Sequence, residues 1–284
     1  MKINLHMHSN YSDGTMDIPL LMQTMGANNF KVVALTDHDR TDGVEEALRI
    51  GNQVGIKVIT GIEVSSNNNN LLNELGDHSS IHILGLGFDL SKLESIYKQR
   101  RFAKELLARK LIDQLQVDGY EITYTLNEVV SSTTIGDKLI ESGFAANLDE
   151  VFSKIINERY AKYRLPNMDI KMAIDTIHQS GGYAIWAHPF ETLVHSKKIS
   201  MTPNQIENIV PQLVELGLDG IETYYAKYSA DQIYFLESLA TQYDLLSSVG
   251  SDFHGKNTDE WITLNKECLT GKERLPLVRA LLKK

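Results

Sequence analysis

Short apolar runs recur along this chain, and most of them lead directly into histidine, aspartate or glutamate. The first run leads into His6 and His8, and the last leads into Asp252 and His254. Residues i and i+2 of a strand point to the same side, so both members of each pair can reach a common centre. Metal-capable side chains at many strand ends favour a fold in which those strand ends converge.

The order of the predicted elements narrows the fold further. Amphipathic stretches lie between most of the apolar runs, and this alternation is typical of a parallel sheet, open or closed. A closed barrel brings the loops that follow all its strands to one centre, whereas an open doubly wound sheet has its site at one switch point. We therefore predict an α/β fold, a distorted TIM-like (β/α) barrel. The predicted strands are 2–5, 32–35, 58–62, 81–86, 183–186, 220–223 and 245–249, and the helices between them are 18–28, 43–54, 168–179, 204–216 and 230–243.

Residues 91–166 interrupt this alternation and are predicted to form a mainly helical insertion. One long amphipathic helix is expected over 92–115, with short helices over 126–131, 135–143 and 148–159. The chain is thus expected to consist of a first barrel part, the insertion and a second barrel part, with bounds 1–90, 91–166 and 167–284.

Composition excludes several classes of protein. The net charge of −9 argues against a general nucleic-acid or membrane coat. The single cysteine, Cys268, permits no internal disulfide and suits a reducing compartment. Residues 1–10 do not have a signal-peptide pattern, and no run approaches the ~18 apolar residues of a membrane helix. The sequence predicts a cytoplasmic protein without membrane association or an obligate protein partner.

Nine residues at or near strand ends form a candidate metal site. Mixed imidazole and carboxylate ligands suit Zn, Mn or Fe better than Ca, which prefers oxygen ligands. A lone histidine is more often a core residue, but packing alone does not explain so many at successive strand ends. Nine ligands exceed the needs of one ion, and three ions fit if Glu63 bridges two of them. The candidate ligands are His6, His8, Asp13, His38, Glu63, His82, His188, Asp252 and His254.

Other polar residues have structural interpretations that compete with a direct role. Asp37 and Asp39 are candidates to orient imidazoles, and equally candidates for turn and cap residues. His178 is predicted to interact with a helix C-terminus. His78 and His195 fall in polar loops, and no direct role is predicted for them.

Most of the candidate ligands stand in distinctive segments, which follow one another over most of the chain. The segments are 6–9 with 12–14, 35–39, 61–63, 82–85, 187–189 and 250–254. In this order they resemble the PHP family, the polymerase and histidinol phosphatase superfamily of metal-dependent phosphoesterases. The resemblance implies a distorted seven-stranded (β/α) barrel with two or three divalent metal ions, for which Mn, Zn and Fe are the candidates.

The resemblance also implies how the ligands are shared. One ion would be held by His6, His8, Glu63 and Asp252, a second by Glu63, His82 and His188, and a third by Asp13, His38 and His254. The residues implied to be catalytic are His6, His8, Glu63, His188 and Asp252.

The insertion is similar in place and length to that of the PHP subgroup that acts on small nucleotides and RNA 5′ ends. The implied activity is hydrolysis of a nucleoside monophosphate, a 3′,5′-bisphosphate or an RNA 5′ end by a metal-activated hydroxide. That subgroup has an Arg-Pro-His-like run where this chain has residues 132–134, Ser-Thr-Thr. The substrate-binding cation is therefore expected to be missing or replaced by Lys138, Arg159, Lys162 or Arg164.

Three other functions are compatible with a His-x-His opening or with the resemblance. One is a phosphatase of the histidinol-phosphate type. Another is a metal-dependent amidohydrolase, although Glu63 as the bridge and the late Asp-x-His pair, Asp252 and His254, favour a phosphoesterase. The third is a non-catalytic accessory module, against which the complete set of ligands argues.

Overall fold

The computed structural model describes residues 1–68, 71, 79–124, 132–156, 158–163, 165–194 and 197–284. The helix predicted over 126–131 and the residues His78, Arg164 and His195 lie outside the described residues. Among the described residues, no helix combines the length and the apolar character needed to cross a bilayer.

Ten strands occur among the described residues, and several extend a predicted apolar run. They are β1 Lys2–Asn4, β2 Phe30–Leu35, β3 Lys57–Asn67, β4 Ser79–Leu86, β5 Met168–Asp169, β6 Tyr183–Trp186, β7 Glu191–Val194, β8 Lys197–Ser200, β9 Gly220–Tyr225 and β10 Leu246–Gly250.

Five helices before and after residues 91–166 lie close to the predicted positions, whereas the last two helices among the described residues were not predicted. Those before the insertion are α1 Ile18–Ala27 and α2 Val44–Gln53; the insertion contains α3 Leu90–Val117, α4 Ser132–Glu141 and α5 Leu148–Glu150; those after it are α6 Ile170–Gln179, α7 Pro203–Glu215, α8 Ala230–Gln242, α9 Thr258–Thr263 and α10 Pro276–Leu281. After α5 the chain continues as a π-helical turn and then a 3₁₀ helix, so the predicted helix over 148–159 is not a single α-helix.

Local capping explains where several helices begin. The side chains of Thr202 and Ser229 each accept the backbone N–H of the residue three positions later, Gln205 and Gln232. The side chains of these two glutamines in turn accept the backbone N–H of Thr202 and Ser229. These reciprocal capping boxes satisfy N–H groups that a helix leaves without intrahelical partners. α7 and α8 therefore start at these residues, immediately before and after the strand that carries Glu222.

The sheet is mostly parallel, and its main path runs in the order β1-β2-β3-β4-β6-β9-β10. On this path β4 departs from the predicted parallel arrangement, because it is antiparallel to both β3 and β6, and β7 and β8, which lie off the path, also pair antiparallel. A parallel connection needs a crossover of a dozen or more residues, usually with a helix, whereas only residues 68–78 separate β3 from β4. The chain therefore has a mixed α/β fold with β4 running against its neighbours.

The pairing with β4 also changes the position of Glu63. β3 was expected to end at residue 62, but residues 61–66 pair with β4 and the strand continues to Asn67. Glu63 consequently lies within a strand, opposite Leu84, rather than in the loop after it. A side chain in the middle of a paired strand has little freedom to move.

The first and last strands of the path approach each other near their C-terminal ends. Leu5 N donates to Val249 O at 2.9 Å, and Asp252 N donates to His6 O at 3.0 Å. These backbone hydrogen bonds bring two of the predicted ligands next to each other, although they lie at opposite ends of the sequence.

The insertion has a hydrophobic cluster of its own, which includes Leu111 and Leu139. Two other clusters of buried residues pack around the sheet and its helices. The insertion contacts the loop after β2 through α3: Arg101 Nη1 lies 2.6 Å from Asp42 Oδ1, and Lys104 Nζ pairs with Asp39. These contacts place α3 beside the segment that carries His38.

Candidate metal centre

Glu63 lies at the centre of the predicted ligands and is fully buried. Its Oε2 atom is 3.2 Å from His6 Nε2, 3.0 Å from His8 Nε2 and 3.2 Å from His38 Nδ1. Three imidazole nitrogens from two different strand ends thus converge on one carboxylate oxygen.

The other oxygen of Glu63 faces a different pair of histidines. Oε1 lies 2.9 Å from His82 Nδ1 and 3.1 Å from His188 Nε2. A carboxylate whose two oxygens face separate groups of nitrogen ligands is suitably placed to bridge two ions.

Two aspartates complete the cluster. Asp252 Oδ1 lies 3.3 Å from His6 Nε2 and 3.1 Å from His8 Nε2. Asp13 Oδ1 lies 3.1 Å from His254 Nε2 and 3.6 Å from His8 Nδ1. The nine residues predicted from the sequence are therefore brought together.

Potential ligand atoms within 4.8 Å of one another form three groups among the described residues. The groups differ from the predicted sets in that His8 and His38 each belong to two of them, and His188 belongs to none of them, although its Nε2 lies 3.1 Å from Glu63 Oε1. The groups are His6, His8, Glu63 and Asp252; His8, Asp13, His38 and His254; and His38, Glu63 and His82.

Four buried polar atoms of this cluster have no hydrogen-bond partner among the described residues. They are His6 Nε2, His8 Nε2, His38 Nδ1 and Glu63 Oε2. Buried polar atoms are normally paired, because leaving them unsatisfied is unfavourable. Divalent ions of the transition series would satisfy all four, so the cluster is able to bind metal.

Glu222, a residue that the sequence analysis did not select, supports the cluster from behind. Its Oε1 atom lies 3.1 Å from His6 Nδ1, and its Oε2 accepts the backbone N–H of His188 at 2.8 Å. It is fully buried on β9. The available signal was a charged residue inside an otherwise apolar strand, where an unpaired carboxylate is unfavourable.

Backbone carbonyls orient two other histidines. His254 Nδ1 lies 2.9 Å from Asp252 O, and His188 Nδ1 lies 3.3 Å from Glu191 O. A carbonyl can only accept a hydrogen bond, so Nδ1 carries the proton in both rings. Nε2 points into the cluster, 3.1 Å from Asp13 Oδ1 in His254 and 3.1 Å from Glu63 Oε1 in His188, and it is the nitrogen that would bind a metal.

Electrostatics in the metal-free cluster favour protonated His6 and His8. Burial lowers the pKa of both rings, but the carboxylates around them outweigh burial, with Glu222, Glu63 and Asp252 acting on His6. The pKa of His6 is raised well above its usual value, and that of His8 is raised to about 10 by Asp252, Glu63 and Asp13.

The partners of these rings shift in the opposite sense. Burial raises the pKa of Glu63, but His6, His38 and His82 outweigh it and hold the pKa well below the usual range. Burial lowers the pKa of His38 to about 4 despite the attraction of Glu63 and Asp13. His38 is therefore neutral near pH 7, the state that a metal ligand requires.

Two residues of the cluster have backbone angles in the left-handed region. His188 has φ +30° and Asp252 has φ +53°. Such conformations cost roughly 1–3 kcal/mol for residues other than glycine and concentrate at functional sites. The fold maintains both, with the His188 N–H bonded to Glu222 and the Asp252 N–H bonded to His6 O.

Asp37 fixes the loop that follows His8, rather than binding an imidazole directly. It accepts hydrogen bonds from Ser9 N at 2.8 Å, Ser9 Oγ at 2.7 Å and Ser12 Oγ at 2.6 Å. Asp39 accepts from Ser65 N at 3.3 Å. His178 lies in the last turn of α6, and its Nε2 is 2.8 Å from Asp219 Oδ2.

Of the predicted substrate-binding cations, three are described, and each of them has a contact within residues 91–166. Lys138 Nζ is 3.6 Å from Glu141 Oε2, and Arg159 Nη2 is 2.7 Å from Asp118 Oδ1. Lys162 Nζ lies 4.9 Å from the centre of the Tyr163 ring. Their role in substrate binding stays a prediction.

Comparison with known families identifies the chain. The family model of the PHP domain matches residues 4–169, which is more than half of the chain. The chain belongs to the PHP family. It is an enzyme, a phosphoric ester hydrolase, and the family expectation from the sequence is confirmed.

Three curated relatives are similar to this PHP protein over most of their length. A 5′-3′ exoribonuclease of Haemophilus influenzae is 31% identical, over 91% of this chain and 94% of the relative. A 3′,5′-nucleoside bisphosphate phosphatase of Chromobacterium violaceum is 29% identical, over 89% and 87%. A phosphoribosyl 1,2-cyclic phosphate 1,2-diphosphodiesterase of Eggerthella lenta is 27% identical, over 89% and 94%.

Two solved structures are similar to this PHP protein in fold. One, described as an amidohydrolase from Chromobacterium violaceum with bound sulfate and no metal, has a TM-score of 0.71 and 28% identity, covering 91% of this chain and 89% of the other. The second, from Bifidobacterium adolescentis, has a TM-score of 0.69 and 22% identity, covering 94% and 96%.

Proposed function

We propose that this PHP protein is a metal-dependent phosphoesterase that hydrolyses phosphate esters of nucleotides: a nucleoside monophosphate, a 3′,5′-bisphosphate or an RNA 5′ end. The observation that carries the proposal is that the two carboxylate oxygens of Glu63 face different histidines. Oε2 faces His6 and His8, while Oε1 faces His82 and His188. Bridged pairs of ions are suited to in-line displacement at phosphorus. The names of the exoribonuclease and bisphosphate phosphatase relatives support the choice of substrate class.

The proposed centre holds two or three divalent ions, with Mn, Zn and Fe as the candidates. The imidazole-rich ligand set supports this choice over Ca or Mg. The proposed ligand sets are His6, His8, Glu63 and Asp252 for one ion; Glu63, His82 and His188 for a second; and Asp13, His38 and His254 for a third.

When bound, the ions would activate water as the nucleophile and neutralise charge on the phosphoryl oxygens. The chain's own residues supply positioning. His6, His8, Glu63, His188 and Asp252 form the proposed catalytic set. Since these side chains are all nearly or fully buried, their geometry is largely established before substrate arrives.

We also propose that the sheet is a distorted seven-stranded barrel interrupted by the insertion at 91–166. Support comes from the hydrogen bond between Leu5 N and Val249 O, which links the first and last strands of the path. The separate hydrophobic cluster of the insertion supports the division into 1–90, 91–166 and 167–284. Lys138, Arg159, Lys162 and Arg164 remain the cations proposed for substrate contact by the insertion.

An amidohydrolase is the second candidate, because one solved structure of similar fold is described in that way. The two functions differ in the bond that is cleaved, since a phosphoesterase hydrolyses a phosphate ester and an amidohydrolase hydrolyses an amide. A histidinol-phosphate-type phosphatase and an accessory module without activity complete the set that an experiment must separate.

The test is a panel assay of the Mn-loaded protein. The panel holds AMP, adenosine 3′,5′-bisphosphate, a 5′-phosphorylated oligoribonucleotide, histidinol phosphate and a set of amide substrates. We expect release of phosphate or mononucleotides from one of the three nucleotide substrates, abolished by Glu63→Gln and unaffected by Glu46→Gln, a carboxylate on the outer face of α2. Turnover of amides alone, or no turnover in protein with metals confirmed bound, would contradict the proposal.

A further inference from the structure

We propose that Lys227 and Lys256 bind the dianionic phosphate of the substrate at two ends of the metal centre. This inference rests on the proposed phosphoesterase function and assigns the cations that recognise the phosphate. Both lysines come from loops of the barrel part, whereas the cations expected from the sequence all come from the insertion.

Lys227 is related to the centre through Asp252, whose two oxygens have different surroundings. Oδ1 lies 3.3 Å from His6 Nε2 and 3.1 Å from His8 Nε2. Oδ2 accepts the hydroxyl of Tyr225 at 3.2 Å and lies 3.7 Å from Lys227 Nζ. One oxygen thus faces the ligand atoms while the other places an ammonium group at their border.

Lys256 has the same relationship to Asp13. Asp13 Oδ1 lies 3.1 Å from His254 Nε2 and 3.9 Å from His38 Nε2, whereas Oδ2 lies 3.3 Å from Lys256 Nζ. Asp137 on α4 interacts electrostatically with both Lys256 and Asp13. This lysine therefore lies between the insertion and the cluster, where a substrate held under the insertion would contact it.

The backbone around each lysine is fixed by hydrogen bonds. Lys256 N and His254 N both donate to the buried carboxylate of Glu260, at 3.2 Å and 2.8 Å. On the other side, Ala226 N donates to Gly250 O at 2.9 Å. Each ammonium group is consequently carried by a braced loop, although its side chain remains mobile enough to change partner.

The exposure of the lysines leaves them accessible to a substrate. Their side chains are 32% and 37% exposed, while those of Asp252 and Asp13 are 6% and 16% exposed. Ion pairs at such partly exposed positions contribute little to the stability of a fold, so little is lost when the ammonium turns to another anion. A phosphate dianion offers stronger, charge-assisted hydrogen bonds than one shared carboxylate oxygen.

The alternative is that the lysines only hold the aspartates in position. The two roles predict different measurements, since a positioning lysine would change the affinity for the metal, whereas a phosphate-binding lysine would change the affinity for the anion. Lys227→Met and Lys256→Met keep most of the aliphatic stem and remove the charge. Lys171→Met is the matched control, because Lys171 pairs with Asp175 on the exposed face of α6.

The experiment measures inorganic phosphate binding to Mn-loaded protein, freed of unbound Mn, by calorimetry at low ionic strength. We expect each Met variant to bind phosphate about tenfold or more weakly, a loss of ~1.4 kcal/mol, with Mn affinity within about threefold of wild type. Lys227→Arg and Lys256→Arg keep the charge and should retain most of the affinity, as should Lys171→Met. Thermal melts establish whether the variants fold. If a Met variant does not fold, the phosphate affinity of the corresponding Arg variant tests the proposal instead.

The proposal is overturned for a lysine whose Met variant binds phosphate as wild type does, or loses Mn affinity in proportion to phosphate affinity. The outcome is separate from that of the substrate panel. Lysine-dependent phosphate binding without nucleotide turnover contradicts the proposed substrate and leaves the inference standing. Nucleotide turnover with unchanged KM and phosphate affinity in both Met variants contradicts the inference and leaves the proposed substrate standing.

Discussion

His6 is held between two carboxylates, with Nδ1 3.1 Å from Glu222 Oε1 and Nε2 3.2 Å from Glu63 Oε2. A carboxylate accepts hydrogen bonds but cannot donate them, so Glu222 fixes the Nδ1–H tautomer and leaves Nε2 as the ligand atom. Glu222 thus acts on the metal centre through His6.

Replacing Glu222 by Gln should weaken metal binding by about 10–100-fold, because an amide orients the imidazole and raises its basicity less than a carboxylate does. Titration of the chelator-treated protein with Mn measures this directly. Glu237→Gln is the control, since Glu237 on α8 accepts the hydroxyl of Tyr224, another residue of β9, at 2.7 Å. Equal Mn affinity of the two variants would show that Glu222 has no orienting role.

Gly250 allows His6 and Glu222 to approach each other. A Cβ atom at this position would overlap Glu222 Oε1 and lie 2.5 Å from His6 Cβ. Gly250→Ala should therefore lower the free energy of unfolding by about 1–3 kcal/mol and weaken Mn binding. In Gly26→Ala the nearest atom would be Ile56 Cδ1 at an ordinary 3.7 Å, so this helical control should be neutral or stabilising. Urea unfolding of both variants distinguishes a packing conflict from a general intolerance of alanine.

Asp37 secures the loop between His8 and Asp13 through its bonds to Ser9 and Ser12. Asp37→Asn removes an acceptor from buried donors and should cost about 2 kcal/mol of unfolding free energy. Asp175→Asn, on the exposed face of α6, should change it by less than ~0.5 kcal/mol. Denaturant unfolding in the presence of chelator tests the difference without a contribution from metal.

The metal-free protein should lose stability as the pH rises. The folded-state pKa of His8 is about 10, above its usual value of 6.5. This stabilisation is fully present below pH 6.5 and is lost as the pH rises through about 10, because only the folded state retains the proton in that interval. We expect the free energy of unfolding in chelator to fall by a few kcal/mol over this range, measured by urea unfolding at successive pH values.

Mn-loaded protein should not show the same loss, because the ions replace the protons on His6 and His8. Mn affinity should correspondingly rise with pH, and binding should release protons that calorimetry in two buffers of different ionisation enthalpy can count. A flat stability profile in chelator would contradict the proton-for-metal exchange. In chelator, the free energy of unfolding should also fall at acid pH. The pKa values of Glu63 and Asp13 are depressed in the folded state, so their stabilisation is lost as the pH falls below the usual range of these carboxyls.

The residues that carry the site could be selected from the sequence because they stand in short segments with local meaning. His6 and His8, two residues apart at a strand end, reach the same centre whatever the rest of the chain does, and the same holds for Asp252 and His254. Helix positions were also predictable to within a few residues, because amphipathic spacing and caps are local properties. The alternating order of strands and helices was sufficient to predict an α/β class.

Partners that are distant in the chain could not be found in this way. Glu222 is one charged residue in an apolar strand, and nothing local relates it to His6, 216 residues away. Lys227 and Lys256 look like ordinary surface lysines until Asp252 and Asp13 are placed beside them. The direction of β4 likewise depended on the shortness of its connection to β3, residues 68–78, which is a property of the chain path rather than of the strand.

By itself, the sequence determined the chemical type of the candidate centre, since imidazoles and carboxylates at successive strand ends form a set of side chains able to bind metal. Only the tertiary structure decided how those atoms are shared. Glu63 divides its two oxygens between different histidines because β4 pairs antiparallel with the strand that carries it. Such sharing depends on distances of 3–4 Å between residues far apart in sequence, and these distances are set when the strands pack together.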